Sequence, residues 1–230
     1  MSEPLRLALV GATGLIGRAV IDACIGRSDV RLVAIARREM KLPRGARMEL
    51  FVAEPDRWGE VFEALQPTAL ISALGTTWKK SGEDEEAFRA VDKQLVLATA
   101  RAAHAAGVQR MVSISSVGAD PLSKNLYLRV KGEVEYELSK VGLKRLDLLR
   151  PGLLKGTREN DSRLGERLGI IASPLIDPFL NGKFRKYRSI EANKVAQGAI
   201  GLASRRAGGR FTHDNDSIRR AARERAKLGG

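Results

Sequence analysis

The chain of 230 residues contains one cysteine, Cys24, two histidines, His104 and His213, and only 5% aromatic residues. A single thiol excludes an internal disulfide and a cysteine-rich zinc site. Two histidines are too few to suggest a metal centre, so no metal is expected. With rings this scarce, Ala, Val, Ile and Leu must fill the core, and 43% hydrophobic residues suffice for one ordinary domain. No run reaches the roughly 18 to 20 apolar residues that a membrane helix needs. The opening MSEPLRLALVGATG lacks the plan of a signal peptide. A soluble, cytoplasmic protein with no membrane attachment is expected.

Acid is the other shortage. Forty Lys and Arg stand against 27 Asp and Glu, a net charge of +13, which raises nucleic acid as a partner. The excess is uneven: residues 205–230 carry eight basic and three acidic side chains, few large apolar ones, and a Gly-Gly end. They read as a basic tail, frayed or weakly helical, beyond a domain spanning 1–204. Arg outnumbers Lys 27 to 13. A solvated surface accounts for such a bias, and nucleic acid is not the expected partner.

Short apolar runs alternate with helical patterns along the chain. Strands are predicted at 5–10, 31–36, 48–52, 69–74, 110–115 and 145–149. Helices are predicted at 15–25, 61–65, 84–106 and 127–141. Strands alternating with helices at this interval predict a doubly wound α/β fold, a parallel sheet with helices on both faces.

Gly11-Ala12-Thr13-Gly14-Leu15-Ile16-Gly17 directly follows the first strand and opens the first helix. In that context three glycines serve a tight turn, a close backbone approach to pyrophosphate, and close packing of helix on strand. The helix N-terminus adds oriented N–H groups. A nucleotide-triphosphate P-loop is excluded, because no Gly-Lys-Ser/Thr follows. Twenty positions beyond Gly17, where an acidic residue would hold the ribose of NAD, stand Arg37 and Arg38. Two guanidiniums suit a 2′-phosphate, so NADPH is expected in preference to NADH.

Tyr127 and Lys131 lie one helical turn apart on one face, and a fixed ammonium nearby favours the phenolate. Tyr136 and Lys140 repeat the spacing. Nine residues at roughly 100° each turn Tyr136 about 180° away from Tyr127, onto the polar face. Tyr127 is therefore the candidate proton donor. The strand end at Ser115-Ser116 delivers hydroxyls to the edge where ligands sit in such folds. Ser116 is the first candidate to hold a substrate carbonyl and Ser115 the alternative, since one residue of register decides. A serine hydrolase is disfavoured: there is no Gly-x-Ser-x-Gly, and neither histidine is suitably placed.

These elements together resemble the short-chain dehydrogenase/reductase superfamily. The strings ALGTT (73–77), VGAD (117–120), LYLRVKGEVE (126–135) and LLRPGLLKGTRE (148–159) are similar to its atypical branch, the one related to human Tat-interactive protein 2. The similarity spans roughly residues 5–203. It implies that Gly11, Thr13, Gly14, Leu15, Ile16 and Gly17 hold the pyrophosphate, with Arg37 and Arg38 near the adenosine phosphate. Leu74 and Gly75 would line the adenine–ribose side. Tyr127 would donate the proton, and Lys131 would hold the nicotinamide ribose and tune Tyr127. Pro151, Gly152 and Leu154 would lie beside the nicotinamide, and Arg163 would reach back over it. Many members carry an Asn that completes a proton relay; here the corresponding stretch offers Asp92.

The expected function is NADPH-dependent reduction of a small carbonyl compound. A cofactor-sensing regulator with little turnover, working through a protein partner, is the alternative; a nucleic-acid binder and an epimerase or dehydratase are further readings. Substrate contacts are expected from 78–86 and 160–184. A homo-oligomer is left open.

Overall fold

The computed structural model describes residues 3–156 and 182–228. Seven parallel strands form one sheet in the order β3-β2-β1-β4-β5-β6-β9. They are β1 (Leu5–Val10), β2 (Val30–Ala36), β3 (Glu49–Val52), β4 (Ala69–Ser72), β5 (Arg110–Ile114), β6 (Arg145–Leu149) and β9 (Gly209–His213). Two short strands, β7 (Leu154–Lys155) and β8 (Ile190–Glu191), pair separately. This is the doubly wound, single-domain Rossmann architecture that the strand–helix alternation predicts.

Successive side chains on a strand point to opposite faces, and that period divides the core in two. Leu7 and Leu9 of β1, Ala69 and Ile71 of β4, and Val112 of β5 belong to one cluster. It is closed by α1 (Leu15–Cys24), α6 (Ala192–Ala203) and α7 (Asn215–Leu228). Ala8, Val10, Leu70 and Met111 face the other way, against α2 (Trp58–Leu65), α4 (Val96–Ala105) and α5 (Leu126–Leu138). The helix predicted over 84–106 begins as α3 (Glu85–Arg89), with the Asp84 carboxylate accepting the Ala87 N–H at 2.6 Å. It then passes through a π-helical turn (Ala90–Leu95) into α4.

The expectation of a frayed tail at 205–230 is corrected. Gly209–His213 adds the seventh strand beside β6, and α7 lies on α6. The physical reason is the small-residue face of α6. A Cβ on Gly198 would come within 2.9 Å of the Ile218 carbonyl oxygen, and one on Gly201 within 3.0 Å of that of Ala221. Two helices this close need little apolar bulk, so Ile218, Ala221 and Ala222 bury a stripe that a hydrophobicity count overlooks. Arg220 and Arg223 line the exposed side, half-buried Arg219 donates to the Ser189 carbonyl at 3.0 Å, and Arg225 is itself buried and pairs with Asp29 at 2.5 Å. His213, expected in the tail, is buried at the end of β9 with Nε2 2.8 Å from Asp147 Oδ1. Ile218→Ala is expected to cost about 2 to 5 kcal/mol, the range for emptying a fully buried site. An unchanged urea midpoint would restore the tail reading.

Candidate cofactor and active site

The sheet order reverses between β1 and β4, and in such folds the ligand crevice opens at that switch point beyond the carboxyl ends of the strands. Gly11 follows β1 there with φ +80°, and a Cβ on it would meet Ala73 C and O at 2.4 Å. A Cβ on Gly17 would meet the Gly11 carbonyl oxygen at 2.1 Å. Those two glycines let the turn close on β4 and let α1 seat against the turn. Gly14 meets nothing nearer than 3.3 Å and forms the N-cap of α1. No side chain caps that end and no acidic residue occupies its first turn. What remains is bare backbone with oriented N–H groups, which fits a pyrophosphate. Thr13 is exposed at the turn, whereas Ile16 sends its side chain into the core.

Arg37 and Arg38 are exposed immediately after β2. Among the described residues no ion pair engages either, so both guanidiniums are free for an external anion. On the other side of the crevice, Leu74 and Gly75 follow β4. A Cβ on Gly75 would stand 3.3 Å from Asp92 Oδ1 and 3.7 Å from Lys131 Nζ, so a side chain here would crowd the Asp92–Lys131 pair.

Lys131 is buried, with Nζ 2.8 Å from Asp92 Oδ1. Asp92 is fully buried in the π-helical turn, where its other oxygen accepts the Thr76 N–H at 2.6 Å. Turns of this kind re-aim one side chain out of a regular helix and recur at functional sites. Burial pushes the Lys131 ammonium down, but the Asp92 carboxylate, aided by Tyr127 and Glu135, outweighs it and holds Lys131 above the ordinary lysine range. Lys131 is therefore a fixed cation. Its Nζ lies 5.9 Å from the centroid of the Tyr127 ring.

Tyr127 is 38% exposed and its ring lies 6.0 Å from that of buried Phe88, which in turn meets exposed Trp78 at 6.2 Å. Trp78, one of the predicted substrate-contact residues, thus stands on the same aromatic run as Tyr127. Tyr136 is 59% exposed, under Lys140 at 3.8 Å on the outer surface of α5.

The two serines divide. Ser115 is buried and donates its hydroxyl to Glu135 Oε1 at 2.5 Å, and its N–H to the Leu149 carbonyl at 2.7 Å. Ser116 is half-buried, and its hydroxyl has only the neighbouring Val117 carbonyl, at 3.3 Å. Glu135 continues the face of Tyr127 and Lys131 by one more helical turn and also accepts from Arg150 Nε at 2.9 Å. Glu135 and Arg150 were missed by sequence reasoning, although Glu135 was readable as the next i+4 position after Lys131.

Pro151 and Gly152 follow β6, and the Pro151 carbonyl accepts the Val117 N–H at 3.0 Å. Gly152 donates to Asn215 Oδ1 at 2.9 Å, and Asn215 Nδ2 donates to the Arg188 carbonyl at 2.5 Å. The first residue of α7 thus anchors this loop, a role no local signal announces. Leu154 packs on the α1-side core, and a Cβ on Gly156 would touch the Leu15 side chain at 2.8 Å, so the segment lies over the glycine turn. Arg163, and all of 157–181, lie outside the described residues.

Residues 11–174 match the NAD(P)H-binding family. Protein fmp52, mitochondrial, of Emericella nidulans is 36% identical over 168 residues, which cover 70% of this chain and 71% of that protein. The Aspergillus niger protein of the same name is 38% identical over the same shares. In fold the chain is similar to MoeE5 in complex with UDP-glucuronic acid and NAD, with a TM-score of 0.69 at 16% identity, covering 90% of this chain and 74% of the other. The relatives' names also correct the cytoplasmic expectation, since they are mitochondrial proteins. Compartment is set by targeting machinery rather than by the fold, so a reading of composition had no purchase on it. By its glycine turn, its sheet order and these similarities, the chain belongs to the NAD(P)H-binding family.

Proposed function

We propose that the protein is an NADPH-dependent oxidoreductase that reduces a small carbonyl compound. The observation that carries this reading is the convergence of Tyr127, Lys131 and the Ser115–Ser116 strand end on the edge that also holds the glycine turn. When bound, the nicotinamide supplies the hydride. The chain's own residues orient the substrate and manage one proton. Ser116, whose hydroxyl has no strong partner, polarises the carbonyl. Tyr127 delivers the proton from its phenolic oxygen, and the fixed Lys131 cation holds the ribose and stabilises negative charge on that oxygen. Arg37 and Arg38 select NADPH through the 2′-phosphate. The mitochondrial names of the relatives extend to a mitochondrial setting for this chain as part of the same reading.

One observation favours a second reading, a cofactor-binding regulator with little turnover. Asp92 occupies Lys131, and Glu135 occupies Ser115, so part of the polar set is already internally satisfied. Titration with NADPH and NADH, by fluorescence or calorimetry, tests the shared premise. The expected result is tighter binding of NADPH, and in Arg37→Ala/Arg38→Ala a loss of that preference by roughly ten- to a hundredfold, with NADH affinity little changed. One or two charge-assisted hydrogen bonds have that worth. Failure to bind either nucleotide would end both readings. Binding without turnover on any carbonyl offered would favour the regulator.

A further inference from the structure

The cofactor edge is not the only place where cations gather. At the opposite edge, where the strands begin, a cavity of about 530 Å³ is lined by Arg6, Arg110, Lys144 and Arg206, with Thr68 and Gln109 among its uncharged walls. No carboxylate lines it, and among the described residues no ion pair engages any of the four cations. Arg6 Nε is buried there without a hydrogen-bond partner. Arg110 donates to the Thr68 and Ser204 carbonyls at 3.2 and 3.3 Å. Burial pushes its guanidinium below the ordinary range, and the neighbouring Arg206 and Arg145 add to that.

Helix ends offer a plainer reason for cations here, since α2, α4, α5 and α6, which lead into the strands around the cavity, all finish at this edge. Each C-terminus carries roughly half a negative charge. Four of them offset about two of the four cations, and no carboxylate among the lining residues balances the rest. Such an excess is met by a compact ligand of multiple negative charge. Guanidinium forks match phosphate oxygens. The volume lies within the roughly 300 to 1,000 Å³ of small-molecule sites. No aromatic ring lines the walls, so the stacking platform of a single-stranded nucleic-acid site is missing.

We propose that this cavity binds a phosphate-bearing ligand, at a second site separated from the nucleotide edge by the length of the sheet, about 20 Å for a six-residue strand. The phosphate could belong to a soluble phosphate ester or to an acidic lipid headgroup. The test uses the full chain saturated with NADPH, so that the glycine turn is blocked. Inorganic pyrophosphate is titrated in one arm. In the other, the protein is floated with phosphatidylcholine vesicles with and without phosphatidylglycerol.

The variant is Lys144→Glu/Arg206→Glu, two exposed residues whose replacement leaves the Arg110 bonds to the main chain in place. The control is Arg220→Glu/Arg223→Glu, the same charge change on the exposed side of α7. The expected result is saturable binding of at least one probe, weakened about tenfold or more by the cavity variant and by much less in the control. Pyrophosphate alone would identify a soluble ester, and vesicles alone a lipid headgroup. Absence of binding to both probes, or an equal loss in the two variants, would overturn the proposal. The contrast between variants does not depend on the redox reading, which the cofactor titration tests separately.

Discussion

Tyr127→Phe is expected to lower carbonyl turnover with NADPH by roughly 100- to 10,000-fold, the range for removing a positioned proton donor, while NADPH binding loses far less. The expectation rests on position. Tyr127 is partly open to the crevice, its ring is held by Phe88, and Lys131 Nζ stands 5.9 Å away as a permanent cation. The phenylalanine keeps the ring contacts and removes only the hydroxyl, so a fall in the maximal rate with an intact protein isolates the proton. Tyr136→Phe is the internal control: it has the same spacing to a lysine, but Tyr136 lies on the outer surface and should leave turnover unchanged. A Tyr127→Phe enzyme with full activity would remove Tyr127 from the mechanism and leave the cofactor site standing.

The second large effect concerns the buried pair behind it. Asp92→Leu is expected to destabilise the fold by about 3 to 5 kcal/mol, because it strands the Lys131 ammonium without its counter-charge and leaves the Thr76 N–H without its acceptor. Asp92→Leu/Lys131→Met should recover much of that loss, since removing both charges also removes the cost of burying them. The comparison is made by urea denaturation. A double variant no more stable than the single one would show that Asp92 acts through something other than the pair. The pH dependence has a definite sign. Lys131 is held above its ordinary value, so the pair contributes fully below about pH 10.5 and fades as pH rises through the raised folded value. Across the neutral range the pair should therefore be pH-independent.

Behind both expectations stands a site that was only partly legible beforehand. Tyr127, Lys131 and the glycine turn announce themselves by spacing within one helix or one turn, where side-chain direction follows from the helical repeat alone. The choice between Ser115 and Ser116 does not, because it depends on where the end of β5 lies relative to Glu135, twenty residues later. Asp92 is visible in the sequence as a departure from Asn, yet its role as the partner of Lys131 depends on a π-helical turn that no propensity signals. The anchoring of Gly152 by Asn215 spans 63 residues and joins the site to a segment that composition alone assigns to a tail.

The sequence by itself therefore determined the alternation of strands and helices, the parallel sheet, the glycine cradle and the Tyr–Lys face, because each is a local pattern of period two, period 3.6 or a turn. Tertiary structure alone decided that residues 209–228 complete the sheet and core, since Gly198 and Gly201 admit a polar helix that is apolar on only a narrow stripe. It also decided which charges are paired. Lys131, Glu135 and Arg225 found partners across the fold, whereas Arg6 and Arg206, alike in sequence, were left facing a cavity without acid. Ion pairing depends on distances between chain segments far apart in sequence, and those distances come into being only when the sheet has closed.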